Sequence, residues 1–131
     1  MNYDYYDKYI NKNTRKRYDV TPIFQDPEVF SNLIDDMVKP FKNFNVIVGL
    51  EALGFIIGGA IAQKLKISFI PVRKKGKLPG EVISTSFTDY SDTGKTFEMN
   101  KGVIKKGDKV LIVDDWIETG SQVKAAIKLV E

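Results

Sequence analysis

The segment Val110-Leu-Ile-Val-Asp-Asp-Trp-Ile-Glu-Thr-Gly-Ser-Gln122 holds the residues of this chain best suited to chemistry. A hydrophobic run ends in two adjacent carboxylates, Asp114 and Asp115, and a Thr-Gly-Ser loop then opens a helical stretch. Carboxylates accept hydrogen bonds from vicinal hydroxyls. Backbone N–H groups at a helix start, joined by the hydroxyls of Thr119 and Ser121, form a cradle for a phosphate. Diol and phosphate together describe a ribose 5-phosphate. A plainer reading is an acidic turn in which Asp115 only precedes the helix, and it leaves most of the pattern unexplained.

Composition removes other chemistries. With no cysteine there are no disulfides, thiolate nucleophiles or cysteine-based zinc sites. With no histidine, imidazole is unavailable as a base or metal ligand, which excludes Ser-His-Asp and Cys-His mechanisms. Any metal would need oxygen ligands, which points to a hard cation such as Mg²⁺. Twenty Lys+Arg against seventeen Asp+Glu leave +3, too mild to imply nucleic acid by itself. A length of 131 residues, 43% of them hydrophobic and 28% charged, fits one soluble globular domain.

The motif needs a strand before it and a helix after it, and the rest of the chain supplies the same alternation. Asp26-Pro27 is a helix start, with Val29, Phe30, Leu33, Ile34, Met37 and Val38 at helical spacing and Pro40 as the stop. Val46 to Val48, ending at Gly49, reads as a buried strand, and Ala52 to Leu65 as a glycine-containing helix. Ile67 to Val72 and Val82 to Phe87 are further strands, separated by the basic loop Arg73-Lys-Lys-Gly-Lys-Leu-Pro-Gly80. Thr96 to Met99 returns as a hairpin arm, Lys109 to Val113 is a central strand, and a helix begins at Gly120. That last helix should turn Val123, Ala126, Ile127 and Val130 to one face. The expected fold is α/β, a mostly parallel sheet flanked by helices.

Residues 1–19 form a basic and aromatic arm, and residues 20–131 the domain. Five of the six tyrosines fall within residues 1–18, beside Lys8, Lys12, Arg15, Lys16 and Arg17. Such a stretch can stack on nucleic acid, but nothing else in the chain supports that partner. Tyrosines packing on the body or on a second subunit is the reading favoured here. The run Val46 to Ala62 contains Glu51 and four glycines and suits a buried strand and helix better than a membrane span. With no secretory leader at Met1, the expected location is cytoplasmic, without a membrane. Two motifs fail as nucleotide fingerprints: Thr93-Gly94-Lys95-Thr96 has Asp89 where a P-loop needs glycine, and Gly54, Gly58 and Gly59 lie inside a helix.

Four segments in order carry a family resemblance: Val20-Thr-Pro-Ile-Phe-Gln-Asp-Pro27, Gly49-Leu-Glu-Ala-Leu-Gly-Phe55, Pro71 to Glu81, and Val110 to Gly120. The sequence resembles the type I phosphoribosyltransferases, in particular their adenine-specific branch. The resemblance implies transfer of a 5-phosphoribosyl group from phosphoribosyl pyrophosphate to a purine base, with Mg²⁺ and release of pyrophosphate, in a homodimer. It implies that Asp114 and Asp115 hold the ribose hydroxyls, with Asp114 meeting the metal indirectly through the Mg-substrate complex. Glu118, Thr119, Gly120, Ser121 and Gln122 would hold the 5-phosphate. Leu53, Arg73, Lys74 and Lys77 would border the pyrophosphate, as a loop and lid. Tyr18, Val20 and Phe24 would form the base pocket, and Asp89 would polarise the base.

The chain departs from the family's pattern at several of these positions. Leu53 stands where the family has an arginine, removing a charge from the pyrophosphate loop. Asp89-Tyr90-Ser91 replaces Glu-Tyr-Gly, Arg17-Tyr18-Asp19 replaces Phe-Arg-Asp, and Glu118 replaces a small residue. Trp116, where the family has an aliphatic residue, either fills the core or shields the phosphate site. Two functions therefore stay open: the transferase, and a non-catalytic regulatory module that binds phosphoribosyl pyrophosphate or a nucleotide. The last helix runs to Glu131 with no glycine cap. A further edge strand is expected after it, so the domain is expected to be short at this end.

Overall fold

The computed structural model describes residues 2–14, 18–88, 94–116 and 120–131. They fall into two units, residues 1–42 and residues 43–131.

In the first unit, helices α1 (Tyr3–Asp7), α2 (Thr21–Gln25) and α3 (Pro27–Val38) follow one another. α3 begins as the sequence suggests: Asp26 Oδ1 accepts from the N–H groups of Glu28 at 3.1 Å and Val29 at 3.2 Å, with Pro27 in the first turn. Such a cap contributes about 1 kcal/mol. Tyr5, Tyr6 and Tyr9 of the arm pack within this unit, whereas Tyr3 and Tyr18 are exposed. Tyr6, Ile23 and Val29 form its buried centre, and the Tyr6 hydroxyl donates to Asp36 Oδ2 at 2.5 Å. Burial first, then that bond to Asp36, pushes the Tyr6 phenol well above its ordinary range. An isolated bridge between Asn11 and Asp19 closes the loop between α1 and α2. Neither α1 nor α2 is anticipated from the sequence, because five residues are too few for a 3.6-residue period to register.

The second unit contains β1 (Val46–Leu50), α4 (Leu53–Leu65), β2 (Ser68–Lys74), β3 (Val82–Thr88), β4 (Gly94–Asn100), β5 (Val110–Val113) and α5 (Ser121–Val130). The sheet order is β3-β4-β2-β1-β5. β1 pairs in parallel with β2 and with β5, placing Gly49 opposite both Pro71 and Val113. The β2–β4 and β3–β4 ladders are antiparallel, so the sheet is mixed where a mostly parallel one was expected. The cause is the short spacing: five residues separate β3 from β4, too few for a parallel crossover, and β4 then pairs with β2. Gly94 to Thr96 thus lies in a strand, with Lys95 opposite Phe87, which accounts for the failed P-loop reading.

All five residues of β1 are buried, as befits a central strand covered on both faces. α4 packs on one face, where Gly58 allows it to approach Ile47 and Phe69. On the other face, Val46, Val48, Leu50, Val72, Phe97 and Met99 meet α5 through Ala125, Ala126 and Leu129. The expected apolar face of α5 is rotated by about one residue. Ile127 is 42% exposed, and the inward stripe is Ala125, Ala126 and Leu129. Two alanines let the helix lie close to the sheet, a preference that hydrophobic spacing alone does not encode. Among the described residues, no helix is long and apolar enough to cross a membrane.

Candidate active site

Parallel pairing carries the ends of β1, β2 and β5 to one edge of the sheet, and each ends in polar residues. Ligands of open α/β sheets bind beyond the carboxyl ends of strands. Glu51 follows β1, Arg73 and Lys74 close β2, and Asp114 and Asp115 follow β5. Gly54 fits the first turn of α4 against this edge. A Cβ there would stand 2.6 Å from the carbonyl oxygen of Val113 and 3.4 Å from the Cα of Asp114. Gly49 plays the matching part below, where a Cβ would lie 2.7 Å from the carbonyl oxygen of Gly54. These two glycines bring the loop after β1 beside the diacid.

Asp114 and Asp115 are both half-buried, and Asp114 Oδ1 accepts from the N–H of Asp115 at 2.8 Å. Gly120 stands at the N-cap of α5 with φ of 82°, a left-handed conformation that suits glycine. The helix starts there, with Lys124 N–H donating to the Gly120 carbonyl at 2.9 Å. Among the described residues no side chain caps α5 at Gly120, and Ser121 and Gln122 form its half-buried first turn. Glu118 and Thr119, the other expected phosphate residues, lie outside the described residues, as does Asp89. Trp116 is half-buried beside the diacid.

The basic loop is anchored on a carboxylate. Glu51, its side chain 9% exposed, accepts through Oε1 from Arg73 Nε at 2.9 Å and from the Lys74 N–H at 3.4 Å. Its Oε2 receives Lys77 Nζ at 3.1 Å. Burial pushes the Glu51 carboxyl up, but the bonds from Arg73, Lys77 and the Lys74 N–H outweigh it and hold the group below the usual carboxylate range. The Arg73 guanidinium also lies 5.9 Å from the centre of the Phe55 ring. Leu53, the first residue of α4, is half-buried and brings no charge to this cluster. Two other contacts hold the loop: Lys75 N–H donates to the Thr96 carbonyl at 3.1 Å, and Gly76 N–H to Glu98 Oε1 at 2.6 Å.

The structure therefore brings Leu53, Arg73, Lys74, Lys77, Asp114, Asp115, Gly120, Ser121 and Gln122 to one end of a single unit. Tyr18, Val20 and Phe24 belong to the first unit. Tyr18 is 46% exposed with Lys12 Nζ 6.0 Å from its ring, Val20 precedes α2, and Phe24 packs on Phe30 at 5.2 Å. The anchoring roles of Glu51 and Glu98 escape sequence reasoning. A carboxylate directly after a buried strand and one inside a strand were the available signals.

The phosphoribosyl transferase domain model matches residues 27–131. The chain is 47% identical over 116 residues to an adenine phosphoribosyltransferase of Roseobacter denitrificans, covering 86% of this chain and 65% of that protein. It thus spans a little under two-thirds of that relative's length. The crystal structure of an adenine phosphoribosyltransferase from Rhodothermus marinus superposes with a TM-score of 0.88 at 36% identity, covering 97% of this chain and 76% of the other. A Trypanosoma brucei adenine phosphoribosyl transferase, solved with AMP, pyrophosphate and ribose 5-phosphate, gives a TM-score of 0.84 at 26% identity, covering 97% and 60%.

Proposed function

Since this chain belongs to the phosphoribosyl transferase domain family, we propose that it transfers the 5-phosphoribosyl group of phosphoribosyl pyrophosphate to a purine base, adenine or a close analogue. The observation that carries this reading is the convergence of the diacid, the Gly120 helix start and the Arg73–Lys77 loop at one strand-end edge. In the reaction the bond from the anomeric carbon to pyrophosphate breaks and a bond from a ring nitrogen of the base forms. The electron pair of the broken bond leaves with pyrophosphate, and the base nitrogen loses its proton. Charge develops on the sugar as an oxocarbenium-like centre and on the leaving group. The base is itself the nucleophile, so the absence of histidine is no obstacle.

In this reading Asp114 and Asp115 bind the ribose hydroxyls, while Gly120, Ser121 and Gln122, with Glu118 and Thr119, bind the 5-phosphate. Arg73 and Lys77 oppose the growing charge of pyrophosphate, a stabilisation that is strongest where water is excluded. Tyr18, Val20 and Phe24 line the base, and Asp89 polarises it. Among the described residues no cluster of three acidic side chains could hold a metal alone. The donor set suits Mg²⁺ that arrives on substrate oxygens, with Asp114 contributing indirectly, since Mg²⁺ is commonly held by one or two carboxylates plus phosphates. When bound, Mg²⁺ would neutralise pyrophosphate charge. The homodimer and the cytoplasmic location implied by the resemblance belong to the same proposal.

A second reading, a non-catalytic module that binds phosphoribosyl pyrophosphate or a nucleotide, is favoured by Leu53 and by the engagement of Arg73 and Lys77 with Glu51. Incubation with Mg²⁺, phosphoribosyl pyrophosphate and a panel of purines separates the two. Pyrophosphate release with adenine supports the transferase, whereas ligand binding without release from any base supports the module.

A further inference from the structure

Glu98 is a charged residue inside the sheet, 9% exposed, and the proposed chemistry gives it no part. It sits in β4 between Phe97 and Met99, which are 1% and 2% exposed and belong to the core beneath α5. Side chains alternate along a strand, so Glu98 points to the opposite face. Its neighbours in register are Ser84 on β3 and Arg73 on β2. A desolvated carboxylate is costly unless donors meet it. A donor is supplied by the N–H of Gly76, which meets Glu98 Oε1 at 2.6 Å. Gly76 has φ of 83°, so the chain reverses at that residue, between Arg73 and Lys77.

We propose that Glu98 is a positioning residue: by holding the Gly76 N–H it fixes the course of loop 73–77, and so places Arg73 and Lys77 for the pyrophosphate group. The inference rests on the transferase-like reading of the site for its ligand, but the anchoring itself does not. Glu51 holds the Arg73 and Lys77 side chains and the Lys74 N–H, and Glu98 holds the backbone at the Gly76 reversal. A loop held at both levels meets a polyanion with little ordering left to lose. Ribose 5-phosphate, which engages the diacid and the α5 start, should be indifferent to Glu98.

The test is calorimetric titration of wild type, Glu98→Leu and Glu98→Gln with magnesium pyrophosphate and, separately, with ribose 5-phosphate. Amide exchange at Gly76 is followed without ligand. Glu98→Leu should weaken pyrophosphate about tenfold, leave ribose 5-phosphate unchanged and speed exchange at Gly76. Glu98→Gln keeps an acceptor oxygen and should restore most of the affinity. Where the leucine variant does not fold, Glu98→Asp draws the carboxylate back by one methylene and should show the same selective loss. Equal weakening of both ligands, or unchanged pyrophosphate binding with unchanged exchange at Gly76, would overturn the inference. Wild type that binds neither ligand would refute the proposed function, and the exchange measurement would then still decide the anchoring.

Discussion

Arg73 donates through Nε to Glu51 Oε1 at 2.9 Å, from the end of β2 to the residue that follows β1. The bond uses the inner nitrogen of the guanidinium, so the outer fork is the part that Arg73 can turn to an anion. It also joins two strands whose parallel register fixes the distance between their ends.

Glu51 should carry a pH-dependent share of stability. Its folded carboxyl lies below the ordinary value of 4.5, so its contribution is complete above that pH and is lost as pH falls through the lower, folded value. At neutral pH, Glu51→Gln should cost about 1–2 kcal/mol, less than a fully buried pair because Arg73 and Lys77 are 34% and 49% exposed. Urea unfolding of both proteins at neutral pH and at about pH 3 checks this, since the gap should narrow at the acidic end. A gap that widened on acidification would contradict the sign.

Two glycines of α4 should respond in opposite directions. Gly54→Ala forces a Cβ to 2.6 Å from a backbone carbonyl of β5, and neither partner can rotate away. The expected cost is about 2–3 kcal/mol, with weakened ribose-phosphate binding because the diacid strand end must shift. Gly59 has nothing within 4 Å of its would-be Cβ. Gly59→Ala should therefore stabilise by about 0.5–1 kcal/mol through helix propensity and reduced unfolded-state freedom. Thermal melts of the two variants give the comparison.

Much of this was legible in the sequence. Asp26-Pro27 marked the start of α3 and the run at Val46 marked β1, because caps and apolar runs are local signals. The thirteen residues from Val110 to Gln122 displayed the diacid and the helix start for the same reason. Other features depend on partners far apart in the chain. Glu98 becomes an anchor only because β4 pairs with β2 and sets it opposite Arg73, a register that no local pattern specifies. At α5 the apolar spacing points Ile127 inward, but the structure exposes it, because close packing of Ala125 and Ala126 outweighs the larger side chain.

Asp115→Asn should weaken ribose 5-phosphate binding by roughly 10–100-fold, the value of hydrogen bonds to a charged acceptor, with little change in melting temperature. Titration calorimetry measures it. Unchanged affinity would remove Asp115 from the site.

Leu53→Arg returns a cation to the first turn of α4, close to the cluster around Glu51. If that turn borders pyrophosphate, the variant should bind magnesium pyrophosphate about tenfold more tightly. An unaltered dissociation constant would mean that the loop no longer serves the leaving group.

Phosphoribosyl transfer is tested most directly by pyrophosphate release from the purified chain supplied with Mg²⁺, phosphoribosyl pyrophosphate and adenine. Release should depend on adenine, form AMP stoichiometrically, and be lost in the Asp114→Asn, Asp115→Asn double variant. Binding of phosphoribosyl pyrophosphate with no release in the presence of any purine would contradict it.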